Sequence, residues 1–351
     1  MSLRDRLAAQ IAASGPMTVA QYMTACLHDP LGGYYATRPA LGPEGDFLTA
    51  PLISQMFGEL IGVWAASCWS MMGEPQAVRL VEMGPGDGTL MSDLLRAARH
   101  APGFIEAAEV WLVEVSEPLK RQQAEKLGDA VRWAGSLAEV PGGAPVLVVA
   151  NELLDCLPAR QFVRTATGWA EQVVGLDAGG GLAFGRVAAQ LPSPPPDAPE
   201  GGVFELSAAQ AALGAELGHR IAADRGAALL IDYGRAEPGL GDTLQAVRRH
   251  MKVDPLERPG EADLTVHADF PAVLEAARHE GAHTALLTQA AFLARMGIGA
   301  RTESLLQSSP KRSAQLGRQL HRLVGGDEMG ELFKAACIYS PDWTPPAFED
   351  A

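Results

Sequence analysis

Cysteine is scarce in this 351-residue chain, and the four present, Cys26, Cys68, Cys156 and Cys337, lie far apart. They form no C-x-x-C pair and have no histidine cluster at metal spacing, which excludes a disulfide framework and leaves a reducing compartment and no structural metal as the expectation. Long apolar runs are also lacking: no stretch approaches the ~18 to 20 residues that a membrane span requires. Positive charge is short as well, with 28 Lys and Arg against 42 Asp and Glu, a formal net charge of -14. A phosphate field would repel such a surface, so neither nucleic acid nor an anionic membrane is expected as a partner, and a neutral or basic one fits better. In the opening MSLRDRLAAQIAAS, Leu3, Leu7 and Ile11 share one helical face, while Asp5 and the arginines interrupt any signal-like apolar core, so a surface helix is expected, with an organelle-targeting peptide as the alternative. The expected location is the bacterial cytoplasm, or the mitochondrial matrix if the source is eukaryotic.

What the chain does have is 47% hydrophobic residues, ample for a large core. Residues 1–75 read as a helical extension. Thr18 with Gln21 makes a capping box, and Thr49-Ala50-Pro51 opens a longer helix whose Ile53, Phe57, Leu60, Ile61, Trp64 and Cys68 share a face. Over 76–160 the pattern alternates: VRLVEMG, a helix over 90–99, VWLVEVS, a helix from Glu117, VRWAG and APVLVVANE. Four short apolar runs at crossover spacing predict a parallel sheet with helices on both faces. An insertion over 161–225 holds a hairpin, QFVRT with WAEQVVGL, a Gly/Pro-rich stretch through Pro192 to Pro196, and a helix near 207–224. Over 226–351 the α/β pattern resumes with AALLIDYG, a loop to about 265, a helix, HTALLTQ and FKAACIYS.

The chemistry concentrates at Glu82-Met83-Gly84-Pro85-Gly86-Asp87-Gly88. Glycines after a strand let backbone N–H groups approach a ligand without Cβ interference. A dinucleotide loop needs a third glycine where this chain has Thr89, and Glu82 would repel a pyrophosphate. S-adenosylmethionine (SAM), which carries an amino group, a carboxylate and a sulfonium but no phosphate, suits the loop better, leaving S-adenosylhomocysteine as product. Glu114, closing the second strand, is placed to accept both ribose hydroxyls. A plain strand-to-helix turn with a solvated Glu114 is the bland alternative.

VVANELLDCLP puts Asn151, Glu152 and Asp155 at the carboxyl edge of the fourth strand, where such sheets bind ligands. Methyl transfer is mainly alignment in a dry site. If the acceptor is a guanidinium, a carboxylate must hold it by paired hydrogen bonds, and Glu152 is the candidate. The bland readings are an Asx-type helix cap for Asn151 and a surface position for Glu152. Asp232-Tyr233-Gly234 reaches the same edge, as a turn or as a substrate contact. His267 is a possible proton acceptor or pocket residue, or else a hydrogen-bonded structural histidine. The loop Gly45-Asp46-Phe47 is placed to close over donor or substrate, or is only a turn.

MTVAQYMTACLHDPLGGYY, GDFLTAPLISQMFGE, VEMGPGDGTLM, LVEVSEPLKRQQ, NELLDCLPARQF, LLIDYG, GDTLQAV, GEADLTVHADF and EMGELFK, in this order, resemble the MidA-like family of methyltransferases over nearly the whole chain. The resemblance implies a Rossmann-like class I core, a seven-stranded mostly parallel sheet with an N-terminal helical extension and an inserted substrate-side region. It implies SAM as donor and, for mitochondrial members, arginine dimethylation of a respiratory complex I subunit. Gly84, Gly86 and Gly88 match the donor loop, Glu114 the second-strand acid, Asn151 and Glu152 the N-E motif, and Gly45, Asp46 and Phe47 the N-terminal loop. NELLD also looks like the first half of the double-glutamate loop of protein arginine methyltransferases, without a second glutamate at comparable spacing. Departures from the pattern fall at Asp87, where many members carry Arg and which adds negative charge at the loop, and at Leu52, where many carry Glu. No acid follows the third strand for the adenine amino group, leaving Ser136 and Leu137 as the adenine contacts. A protein methyltransferase is the expected function; a SAM-binding assembly factor with little catalysis and a small-molecule methyltransferase are the alternatives, and Thr89 and Glu82 weigh against an NAD-linked oxidoreductase.

Overall fold

The computed structural model describes residues 1–37, 49–191 and 197–349. The loop Gly45-Asp46-Phe47 and the proline run 192–196 lie outside the described residues. Among the described residues the central sheet has eight strands; the two-residue strand Ala268–Asp269 pairs with Gly226–Arg235 off the main path, and seven strands form that path: β1 (Val78–Met83), β2 (Ala108–Val113), β3 (Val131–Ala134), β4 (Val146–Asn151), β5 (Gly226–Arg235), β6 (His283–Thr288) and β7 (Phe333–Tyr339). Their order is β3-β2-β1-β4-β5-β7-β6. Neighbours from β3 to β5 run parallel, while β7 is antiparallel to both β5 and β6. The class I methyltransferase architecture expected from the sequence is present.

Continuous apolar runs in β4 and β5 follow from burial on both faces. On one face, Trp64, Phe57 and Ile61 of the helix Gln55–Met71 pack with Leu90, Met91 and Leu94 of Thr89–Ala98. On the other, Leu213, Leu217 and Ile221 of Ala208–Asp224 pack with Phe270, Val273 and Ala277 of Phe270–His279. The capping box Thr18–Gln21 is formed, and both partners satisfy backbone N–H groups of the helix Val19–His28. One boundary differs from expectation. Thr49 starts only a short turn, Ala50–Ile53, and the extended Ser54 breaks the chain and caps the long helix through the Met56 N–H.

The hairpin Arg160–Thr165 and Gly168–Leu176 belongs to a separate antiparallel sheet, with Leu182–Ala189, Val203–Leu206 and Met17–Thr18 as its other strands. The stretch read as a loop to about 265 holds a small three-stranded sheet, Gln245–Arg248, Met251–Val253 and Asp263–Thr265. Its strands have only three or four residues, too few for an alternating pattern to show. The region 289–332 is helical, including Ile298–Ser308 and Ser313–Val324.

Candidate active site

A cavity of about 240 Å³ opens at the carboxyl ends of β1, β2 and β4. Glu82, Gly84, Pro85, Gly86, Asp87, Glu114, Asn151, Glu152 and Asp155 all line it. Three segments spread over about 70 residues of sequence thus meet where the parallel strands end.

Gly84 and Gly86 have φ of 65° and 54°, the left-handed region that glycine adopts without strain. A Cβ at Gly84 would also press on Leu153 Cδ1 at 3.1 Å. Glu82 is 2% exposed and its Oε2 has no hydrogen-bond partner. Burial, with the Asp87 charge adding to it, pushes its carboxyl well above the usual range. Asn151 Oδ1 is likewise buried and unpaired on the same wall. Two orphaned acceptors cost free energy unless a donor-rich ligand satisfies them. A cationic amino group is such a ligand, so the residues present fit the amino-acid end of SAM.

Glu114 accepts the Ser116 N–H at 2.7 Å on Oε1 and lies 3.4 Å from the Gln123 amide through Oε2. Gln123, fully buried, also donates to the Gly86 carbonyl at 2.7 Å and accepts from Trp133 Nε1 at 2.8 Å. Gln123 therefore ties the glycine loop to the second-strand acid, a role that its place inside an otherwise charged helix concealed. The charge expected from Asp87 is largely answered: Lys126 Nζ lies 2.8 Å from its Oδ2, and Thr89 donates through both N–H and hydroxyl.

Glu152 adopts φ 52°, uncommon for a residue with a side chain, and its N–H donates to the Ile231 carbonyl at 2.8 Å. Its Oε1 accepts from Asn151 Nδ2 at 3.0 Å and the Ala50 N–H at 3.3 Å. Burial and the neighbouring Asp155 push its carboxyl up to about 7. Burial likewise raises Asp155 to about 6. Behind them Asp232, 1% exposed, accepts the Leu154 and Asp155 N–H groups at 2.8 and 3.1 Å, fixing the turn after β4. Asp232 is thus a buried positioning group and does not line the cavity.

The structure adds residues that sequence patterns gave no means of joining. Asp263 and Tyr35 line the cavity and bond to each other, Tyr35 hydroxyl to Asp263 Oδ1 at 3.1 Å, while the Ser116 hydroxyl donates to the Tyr35 carbonyl at 3.1 Å. Leu52, at the departure from the family pattern, is also on the wall. Four expected contacts are not brought to it. Gly88, which caps the helix Thr89–Ala98, lies off the wall with its N–H bonded to the Pro85 carbonyl at 2.8 Å. Leu137 is 1% exposed within an apolar cluster, because its short 3-10 turn folds inward, and the adjacent Ser136 does not line the cavity either. His267 stacks edge-on against Tyr233 at 5.6 Å, away from the cavity, its N–H bonded to the Thr243 hydroxyl and its imidazole depressed by burial.

Comparisons with known proteins agree with this geometry. The model of an S-adenosyl-L-methionine-dependent methyltransferase family matches residues 60–288. The zebrafish (Danio rerio) mitochondrial protein arginine methyltransferase NDUFAF7 is 36% identical over 363 residues, covering 95% of this chain and 86% of that protein. Human (Homo sapiens) NDUFAF7 is 35% identical over 367 residues, covering 92% and 80%. A crystal structure of a methyltransferase-like protein from Burkholderia thailandensis bound to S-adenosyl-homocysteine superposes with a TM-score of 0.88 at 29% identity, covering 99% of this chain and 95% of that one. The glycine loop on the cavity wall, the acids at the ends of β1 and β2, and these similarities together show that the chain belongs to the SAM-dependent methyltransferase family that includes the NDUFAF7 proteins.

Proposed function

We propose that this methyltransferase modifies an arginine side chain of a protein partner, with a respiratory complex I subunit as the partner to test first. The observation that carries the reading is Glu152, a carboxyl raised to about 7 on the wall of the donor cavity and oriented by Asn151 and the Ala50 N–H. Asp155 and Asp263 share that wall, so the acceptor side holds three acids and favours a cation. The relatives' names supply arginine as the cation.

SAM, when bound, supplies an electrophilic methyl group. Glu82 and Asn151 would hold its amino group, the Gly86 and Asp87 amides would face its carboxylate, since the Gly84 and Gly88 N–H groups bond to the Val113 and Pro85 carbonyls, and Glu114 would take the ribose hydroxyls. Glu152 aligns the guanidinium by paired hydrogen bonds. Methylation of a guanidinium releases one proton, and a carboxyl near 7 is suited to accept it. Asp155 as a second acid belongs to the same proposal; Gly88, His267 and the pair Ser136 and Leu137 have no support from the cavity geometry.

The test is to incubate the protein with methyl-labelled SAM and an extract of cells lacking it, hydrolyse the labelled protein and identify the modified amino acid. Labelled methylarginine is expected. Label in another amino acid or in a small molecule overturns the arginine reading, and bound SAM with no transfer points to an assembly factor.

A further inference from the structure

From Ser304 to Gly326 the chain has four cations, Lys311, Arg312, Arg318 and Arg322, and no Asp or Glu, although the whole chain carries -14. All four side chains are exposed, and among the described residues none forms an ion pair with a carboxylate at contact distance. The helix Ser313–Val324 buries Leu316 and Leu323 against the core and turns its basic side outward. This strip borders the active site. Gln319 donates to the Ile53 carbonyl at 2.6 Å, next to Pro51 and Leu52 on the cavity wall, and the Arg322 charge is felt at Glu152. A small cleft of about 40 Å³ between Ser54, Gln55, Arg312 and Gln319 continues the strip, and no acid lines it.

We propose that the surface bearing Lys311, Arg312, Arg318 and Arg322 docks an acidic segment of the same protein whose side chain enters the cavity. The proposal rests on the reading of the chain as a protein methyltransferase. Charge complementarity argues for it: a cavity with acidic walls selects a cation, while a basic strip beside it selects acids flanking that cation, and the two together fix the direction of the bound chain. A nucleic acid fits less well, because its phosphates would face the acidic cavity mouth and the negative remainder of the surface.

The test uses the full chain and a Lys311→Glu, Arg312→Glu, Arg318→Glu triple variant. Residues 311 and 312 precede the helix and residue 318 is exposed on it, so the fold should tolerate the reversal. Calorimetry with S-adenosylhomocysteine is expected to give the same Kd for both within about twofold. Fluorescent poly-L-glutamate of about 20 residues should bind the wild type at low salt, weaken steeply as salt screens the charges, and bind the variant at least about tenfold more weakly. Equal binding by the two proteins, or none by the wild type, overturns the proposal. Tighter binding of a single-stranded oligonucleotide of the same charge also overturns it, assigning the strip to nucleic acid. Failure of the underlying function shows separately, as an absence of labelled protein with methyl-labelled SAM.

Discussion

In the proposed donor site, Glu82 concentrates both cost and use in one side chain. A buried carboxyl group with an unpaired oxygen is destabilising in the free protein and attracts an amino group. Replacing it by glutamine should therefore weaken S-adenosylhomocysteine binding by at least about tenfold, about 1.4 kcal/mol, while leaving the melting temperature unchanged or higher. Calorimetry and a thermal melt check both, and unchanged affinity would remove Glu82 from the donor site. The residues legible in the sequence were those at strand ends: Glu82, Glu114, Asn151 and Glu152 follow apolar runs, and a parallel sheet gathers such positions at one edge. Asp263 and Tyr35 were not legible, because their approach depends on the N-terminal extension and the small sheet folding over the same edge. His267 and Leu137 lie off the cavity wall, and neither polarity nor proximity in sequence says which way a side chain turns.

Elements were easier to read than their junctions. The core strands follow from apolar runs of four or more residues, and the cap Thr18 from a short local signal. The break at Ser54 was hidden, since Ile53 and Phe57 continue one apolar face across it. The helices of 289–332 bury few side chains each, so their periodicity is faint; Ile298–Ser308 buries only Ile298 and Thr302. Helix contact also explains a glycine. At Gly62 the helix Gln55–Met71 crosses Thr89–Ala98 so closely that a Cβ would stand 2.5 Å from the Leu94 carbonyl oxygen, a rigid backbone atom. Gly62→Ala should cost about 1 to 3 kcal/mol by overpacking. Denaturant unfolding measures it, and a loss below about 0.5 kcal/mol would show that the two helices separate freely.

Across the whole molecule, stability and activity should respond to pH in opposite directions. Glu152 and Asp155 ionise in the folded protein at about 7 and about 6, with Asp232 well above its ordinary value, whereas unfolded carboxyls ionise near 4. Between those values the native state keeps protons that the unfolded chain has released. This buried cluster therefore stabilises the fold at the acidic end of the window, and that contribution is lost as pH rises through about 6 to 7. Asp155→Asn should flatten the decline in melting temperature between pH 5 and pH 8; an unchanged slope would mean that the cluster does not titrate in this range. Methyl transfer needs the opposite state, because only ionised Glu152 can hold a guanidinium. The most direct measurement is kcat/KM for label transfer into protein arginine between about pH 5.5 and 8.5, for the wild type and Glu152→Gln, with S-adenosylhomocysteine affinity measured alongside. The expected result is a wild-type rate that rises through about 7 and a variant about 100-fold slower with no such rise and with donor affinity retained. A variant that keeps the wild-type rate and pH profile would contradict the assignment of Glu152 as the residue that holds the substrate.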